Sequence, residues 1–301
     1  MSKFNEGISV IITVFNNSQY LKRSLSSVLT QTKLPQEIVI VNDGSNKYHE
    51  LSIKNIINSL ETETEIKYFF KKNGGPSSSR NFGLTKSNYK FICFLDVDDE
   101  MEKKNIELKY NLLIKLDHKI FFGVYGNAKY FKSKNLIFSN DSNYNVDTIG
   151  RVNGICGSSP CYMFVKSNLI KINGFDEDLS NNEDFDLIIR LLKFKYRSKF
   201  LNEIGLIIHK TNNSLSRNYN FKKTYINTLK FLEKAKKNNY FTYTELNKRL
   251  KELHITYAKN MIINFKFKDN PFFILKKSFS FSNPVNIKEY LLYYFTFFIK
   301  K

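Results

Sequence analysis

Cysteine is scarce and unpatterned in this chain. There are three, Cys93, Cys156 and Cys161, with no CxxC spacing and no histidine pair beside them. That excludes a disulfide framework and a structural zinc site, and it fits a reducing, cytoplasmic setting. Proline (5) and glycine (12) are also few among 301 residues, which excludes collagen-like and low-complexity disordered chains. No apolar run is long. Residues 290–299 form the longest, and as a helix they would cover about 15 Å of a hydrocarbon core about 30 Å thick. A transmembrane span is therefore not expected. Residues 1–7 hold one lysine and one glutamate ahead of the apolar stretch 8–15, with no small-residue cleavage site after it. The expectation there is a buried strand rather than a signal peptide.

What is present is globular: 42% hydrophobic, 25% charged and 15% aromatic residues. The length suits one large domain or two modest ones, and a chain of this size buries about three quarters of its extended surface. The formal net charge is +19, which raises nucleic-acid and membrane-surface readings. A plainer cause competes. Forty of the 47 basic residues are lysine, and alanine occurs three times, a bias that AT-rich coding produces. Position helps to decide, since residues 219–301 carry a net +12 and the first 218 only +7.

The N-terminal half alternates strand and helix patterns. Residues 8–14 are a continuous, largely β-branched run, as in a strand covered on both faces. Asn17-Ser18 offers an N-cap, and Leu21, Leu25, Val28 and Leu29 follow at helical spacing. Further strands are expected at 37–41, 66–70 and 91–95, with helices at 51–60 and after the loop Asn73-Gly74-Gly75-Pro76. Short strands are expected near 121–125 and 162–165, and an amphipathic helix over 185–192. From about residue 221 the pattern is helical, lysine-rich and aromatic, and it is expected to pack on the first domain. Such alternation predicts an α/β fold with a mostly parallel, Rossmann-like sheet flanked by helices. Ligands of such sheets sit beyond the carboxyl ends of the strands. Asn16, Asp43 and the Asp96-Val97-Asp98-Asp99 cluster all fall at those ends.

Asp96, Asp98 and Asp99 are the strongest chemical signal. Carboxylates that close do not all stay ionised without a counterion, and a hard divalent cation shared with substrate phosphates is one solution. The competing reading is an acidic helix N-terminus, with residues 101–116 as the helix. Asp43 in Asn42-Asp43-Gly44-Ser45 reads alone as an Asp-Gly turn. Arg80 is either a solvated surface residue or a partner for a phosphate or carboxylate. Glu183 and Asp184 are either first-turn acids or a general base and its neighbour. His209, after the strand-like stretch 204–208, is either structural or a ligand. The Gly-Gly-Pro loop matches neither a Walker A nor a GxGxxG pattern.

Taken in series, these motifs resemble family 2 glycosyltransferases. The resemblance rests on Val10-Ile11-Ile12-Thr13-Val14-Phe15-Asn16 and Glu37-Ile38-Val39-Ile40-Val41-Asn42-Asp43-Gly44-Ser45. It continues through Asn73-Gly74-Gly75, Ser79-Arg80-Asn81-Phe82-Gly83 and Phe94-Leu95-Asp96-Val97-Asp98-Asp99, then Gly174-Phe175-Asp176-Glu177 and Glu183-Asp184, over residues 7–217. Thr13, Phe15 and Ser79 stand where that family usually has proline, tyrosine and alanine.

The resemblance implies a GT-A fold over residues 1–217 that binds a nucleoside diphosphate sugar, with UDP the expected nucleotide. It implies that Asp43 meets the base and that Thr13, Phe15, Asn16 and Arg80 shape the nucleotide pocket. Asp96 and Val97 would line the ribose or sugar, and Asp98 would hold Mn²⁺ or Mg²⁺, with His209 a further candidate for the metal. Asp184, beside Glu183, would be the general base of an inverting transfer to a glycan or lipid-linked acceptor. Acceptor specificity is expected in residues 120–175 and the C-terminal region.

Residues 218–301 are expected to be a basic, aromatic helical extension. Tyr290, Tyr293, Tyr294, Phe295, Phe297 and Phe298 suit a bilayer interface, with packing on the core or a dimer interface as the alternatives. Two rival functions differ in kind. A metal-dependent nucleotidyltransferase normally carries a basic loop after the first strand, where Phe15-Asn16-Asn17-Ser18 has none. A non-catalytic nucleic-acid or membrane binder would draw on the charge, but no nucleic-acid motif occurs and arginine is scarce.

Overall fold

The computed structural model describes residues 4–132, 158–209, 221–263 and 270–298. It divides into two compact units, Met1–Arg217 and Asn218–Lys301. Cys156 lies outside the described residues, as do the side chains of Phe295, Phe297 and Phe298.

In the first unit the β-branched run becomes strand β1 (Asn5–Val14), whose Ile8, Val10, Ile11 and Ile12 are fully buried. The chain then forms α1 (Leu21–Leu29), β2 (Glu37–Asn42), α2 (Lys47–Asn58), β3 (Glu65–Phe70), α3 (Gly75–Lys86) and β4 (Tyr89–Asp96). After β5 (Glu100–Met101) come α4 (Asn105–Leu113), β6 (Phe121–Tyr130) and β7 (Tyr162–Val165). The unit continues with α5 (Lys166–Lys171), α6 (Glu183–Lys193) and β8 (Arg197–Ile208). Among the described residues these strands make one eight-stranded sheet, in the order β3-β2-β1-β4-β7-β6-β8-β5.

Strands β3, β2, β1 and β4 are parallel. The chain steps outward from β1 to β3 and then returns to the other side of β1 as β4. That reversal opens a crevice at the carboxyl ends of β1 and β4, where parallel sheets bind ligands. The register there pairs Thr13 with Asp96 and Val14 with Asn42. Beyond β4 the sheet is mixed: β7 runs antiparallel to β4 and β6, while β6 is parallel to β8.

Two local readings are corrected. The acidic cluster does not start a helix. Glu100 and Met101 pair instead with Ile207 and Leu206 of β8, the Glu102 N–H reaches the Gly205 carbonyl, and α4 begins only at Asn105. A backbone already bonded to β8 cannot also form the first helical turn. Asn17-Ser18 also leads into a 3₁₀ turn, Ser18–Tyr20, with no side-chain cap on it or on α1. The Ser18 hydroxyl lies 2.8 Å from His49 Nδ1 instead.

The amino end of the sheet is held by a fully buried carboxylate. Glu37 accepts from Ser9 Oγ at 2.7 Å, from the Asn88 N–H and from Lys67. One face of β1 and β2 is covered by α3, which comes so near at Gly83 that a Cβ there would collide with the Ile11 side chain.

The second unit contains α7 (Phe221–Lys237), α8 (Tyr243–Ile263), α9 (Pro271–Ser278) and α10 (Ile287–Phe298). Ile255, Ala258, Leu275 and Phe279 form a small core there. Among the described residues no helix is long and apolar enough to cross a membrane.

Replacing Glu37 by alanine leaves Lys67 with Glu65 as its remaining acid, at 3.2 Å, and takes the acceptor from the buried Ser9 hydroxyl and from the Asn88 N–H. The expected loss is about 1–3 kcal/mol, read as a lower urea midpoint at unchanged slope.

Candidate active site

Three polar groups sit along the carboxyl edge of the sheet, each built from segments far apart in the chain. The first lies beyond β1 and β2. Asn16 has a positive φ of 49°, in the left-handed region that asparagine tolerates. Its N–H donates to Ser45 Oγ and its Oδ1 accepts from the Asn46 N–H, both at 2.9 Å. Phe15 beside it is 47% exposed. The Asp43 carboxylate is buried and takes the N–H groups of Gly74 (3.0 Å) and Gly75 (2.8 Å), with Lys71 Nζ at 2.7 Å. Asn73 Nδ2 donates to its Oδ2 at 3.2 Å and to its carbonyl at 2.8 Å. Asp43 thus fixes the loop that opens α3, a role that its motif did not disclose.

The second group centres on Arg80, on the first turns of α3. It is not solvated. Its side chain is 6% exposed, and it donates to Asp96 Oδ1 at 3.0 Å, Glu183 Oε1 at 3.1 Å and Asp184 Oδ1 at 3.4 Å. The guanidinium also lies 5.4 Å from the centre of the Phe175 ring. Burial alone would weaken its charge, but Asp184, Asp96 and Glu183 outweigh that and hold it protonated. Burial likewise pushes the Asp184 carboxyl up to about 7. Arg80 opposes that rise, Glu183 adds to it, the Ser159 hydroxyl opposes it, and Asp96 adds a little more.

The neighbouring Asn81 explains the Gly174-Phe175 motif. Its amide accepts the Phe175 N–H at 2.8 Å and donates to the Phe175 carbonyl and to Glu177, both at 2.9 Å. Gly174 has φ +61°, and a Cβ there would collide with the Asn81 amide oxygen. Those bonds carry the chain toward α6, whose first turn supplies Glu183 and Asp184.

The third group follows β4. Val97 is buried and Asp98 partly exposed. Asp99 accepts the His209 N–H at 3.0 Å, and burial, with Asp96 and then Asp98 nearby, raises its carboxyl to about 8. His209 Nε2 pairs with Glu100, and its ring stacks on Phe131 at 4.5 Å. Arg23 of α1 donates to the Asp98 carbonyl and lies 3.6 Å from Glu100 Oε1. His209 therefore stands with Asp99 and Glu100 rather than in the Arg80 group. Reading the motifs missed Arg23 and Glu100. Arginine's rarity was a usable signal, because a chain with forty lysines and seven arginines keeps arginine where a fork is needed.

Among the described residues no three His, Cys, Asp or Glu side chains converge as a metal cage. The 96–99 loop instead offers hard carboxylate oxygens, crowded enough to raise Asp99. That donor set fits a cation held by one or two carboxylates and completed by substrate phosphates.

Asp99 and Asp184 both titrate above the ordinary carboxyl value of 3.8. The folded chain therefore holds protons that the unfolded chain has released, and stability falls as pH rises from about 4 toward 8. Asp99→Asn removes the larger contribution. Thermal melts at about pH 6 and pH 8 should show a shallower fall for Asp99→Asn than for the parent, whereas parallel falls would reject this account.

A family model described as Glycosyl transferase family 2 matches residues 9–168, just over half of the chain. An uncharacterized glycosyltransferase of Rickettsia bellii is 35% identical over 144 residues, 48% of this chain and 18% of that one. Among solved structures, Staphylococcus aureus TarS 1-349 in complex with UDP-GlcNAc is similar, with a TM-score of 0.57 at 18% identity, over 96% of this chain and 79% of that one. Mannosyltransferase PcManGT from Pyrobaculum calidifontis, in complex with GDP-Man and Mn²⁺, has a TM-score of 0.59 at 11% identity, over 92% and 74%. At those identities the likeness is one of fold, here GT-A. The chain spans between 18% and 58% of the length of the first five curated relatives it matches. With over half of its length matched by the family model and its strand order forming the sheet described above, the chain belongs to glycosyl transferase family 2.

Proposed function

We propose that this chain is an inverting glycosyltransferase. It moves a hexosyl or N-acetylhexosaminyl group from a nucleoside diphosphate sugar, with UDP the expected nucleotide, to a hydroxyl of a glycan or lipid-linked acceptor. The observation that carries the reading is the gathering of Asp96, Glu183 and Asp184 on buried Arg80, beside the β1/β4 crevice of a family 2 chain. A carboxyl raised to about 7 is matched to taking a proton near neutral pH. The UDP-GlcNAc bound by TarS and the GDP-Man bound by PcManGT support a nucleotide-sugar donor.

In this reading Thr13, Phe15, Asn16 and Asp43 form the nucleotide end of the crevice, and Asp96 and Val97 the ribose or sugar end. Asp43 also orders the 73–75 loop. Asp98 would hold Mn²⁺ or Mg²⁺, with His209 as the further candidate beside it. When bound, that cation supplies neutralisation of the diphosphate leaving group. Asp184 takes the proton of the acceptor hydroxyl; Arg80 keeps its carboxylate in place, and the like charge of Glu183 beside it favours its uptake of that proton. The acceptor oxygen attacks the anomeric carbon from the face opposite the phosphate, and the anomeric C–O bond breaks with its electron pair leaving on the diphosphate. One displacement inverts the centre and needs no covalent enzyme intermediate.

The setting that suits this chemistry is the cytoplasmic face of a bacterial membrane, in capsule, lipopolysaccharide or similar surface-polysaccharide synthesis. Residues 218–301 would supply membrane, acceptor or self-association contacts.

Two measurements test the reading. Calorimetric titration of UDP should show binding that strengthens with Mn²⁺, and Asp98→Ala should lose about tenfold or more of that metal-dependent gain. Absence of binding by UDP, GDP and dTDP under every metal condition would end the transferase reading. Asp184→Asn should lower transfer by about 10²–10⁴ while leaving UDP affinity unchanged. Loss of UDP binding in that variant would remove Asp184 from the role of base.

A further inference from the structure

Helix α10 is apolar on two sides. Inward, Leu292 and Tyr293 pack on the core of Ile255, Ala258, Leu275 and Phe279, with the Tyr293 ring 5.2 Å from that of Phe279. On that side Glu289 pairs with Lys251, a buried lysine that also donates to the Asn283 carbonyl. These contacts set the rotation of the helix, and so they set what it presents outward. Ile287, Tyr290, Leu291 and Tyr294 stand there at i, i+3, i+4 and i+7, exposed by 80%, 47%, 66% and 58%. Phe273 on α9 is exposed as well, by 68%. Apolar rows of this kind on a polar-rimmed surface mark contact sites.

Charge selects the occupant. Residues 219–301 carry a net +12. Glu289, the acidic residue of the first turn, is turned inward to Lys251, whereas Lys288 on α10 and Lys276 and Lys277 on α9 are exposed. A second copy would bring like charge against like charge. An anionic headgroup layer attracts each lysine near its surface. Tyrosine suits the same layer, since its ring is apolar and its hydroxyl stays wet. We propose that the outward face of α10 inserts into the headgroup boundary of an anionic bilayer, with exposed Lys288, Lys276 and Lys277 drawn to the lipid phosphates. The inference deepens the membrane contact of the proposed function, yet its test does not depend on transfer.

The experiment is co-sedimentation of the full chain with vesicles of phosphatidylcholine and phosphatidylglycerol, and with phosphatidylcholine alone. The parent should bind the anionic vesicles preferentially, and Leu291→Glu/Tyr294→Glu should weaken that binding about tenfold or more. Lys276→Glu/Lys277→Glu should weaken it too and flatten its salt dependence. All four positions are exposed, so unchanged melting curves separate these effects from misfolding. Equal binding by Leu291→Glu/Tyr294→Glu, or no vesicle binding by the parent, overturns the inference. So does a dimer in sedimentation velocity that this variant dissolves while the parent ignores vesicles. UDP titration of the same samples keeps the two readings apart. Vesicle binding without binding of UDP, GDP or dTDP under any metal condition supports this surface and ends the transferase reading, and the reverse result removes this surface alone.

Discussion

Three carboxylates from two segments well separated in sequence, Asp96 and Glu183-Asp184, meet on one buried guanidinium. Asp96 ends a central strand, Glu183 and Asp184 begin α6, and Arg80 is the cation between them. Like charges so close repel strongly away from water, so this part of the molecule closes only because the cation is present and multiply bonded. Lysine would not replace it, since a compact ammonium cannot present two nitrogens in a rigid fork to separate acids. Arg80 in turn depends on α3, which sits tight on the sheet at Gly83 and reads the backbone at Phe175 through Asn81. The placement of the proposed base thus follows from packing on the opposite face of the crevice wall.

The same edge shows polar groups divided between shaping the site and meeting a ligand. Asp43 gives both carboxylate oxygens to backbone and side-chain donors of the 71–75 segment. Asn16 bridges two strand-end loops. Arg23, Glu100 and His209 brace the acidic loop from behind. A site meant to receive a diphosphate needs such bracing, because its own charges oppose the compact state before any ligand arrives.

The uneven charge along the chain has a structural counterpart. In the first 218 residues, 23 acids offset most of the 30 basic residues, some of them gathered at the carboxyl edge of the sheet. In the second unit, α8, α9 and α10 enclose a small core and leave cationic and apolar side chains outward. There buried Lys251 holds the half-buried Glu289, and that pair helps decide which face of α10 is hidden.

Much of the fold was legible from local signals. Unbroken β-branched runs announced the central strands because burial on both faces tolerates little else, and the polar residues that ended them marked the carboxyl edge. The serial motifs identified the family. Other features needed three dimensions. Whether the acidic run starts a helix was decided by β8, which pairs with Glu100 and Met101 across a hundred residues. The partners of Arg80, the internal use of Asp43 and the bracing by Arg23 are long-range contacts, which no local periodicity encodes. The pattern of residue types determined which groups stand at the strand ends. Only tertiary packing decided which of them face one another, because hydrogen bonds and ion pairs depend on distances that the order of residues does not contain.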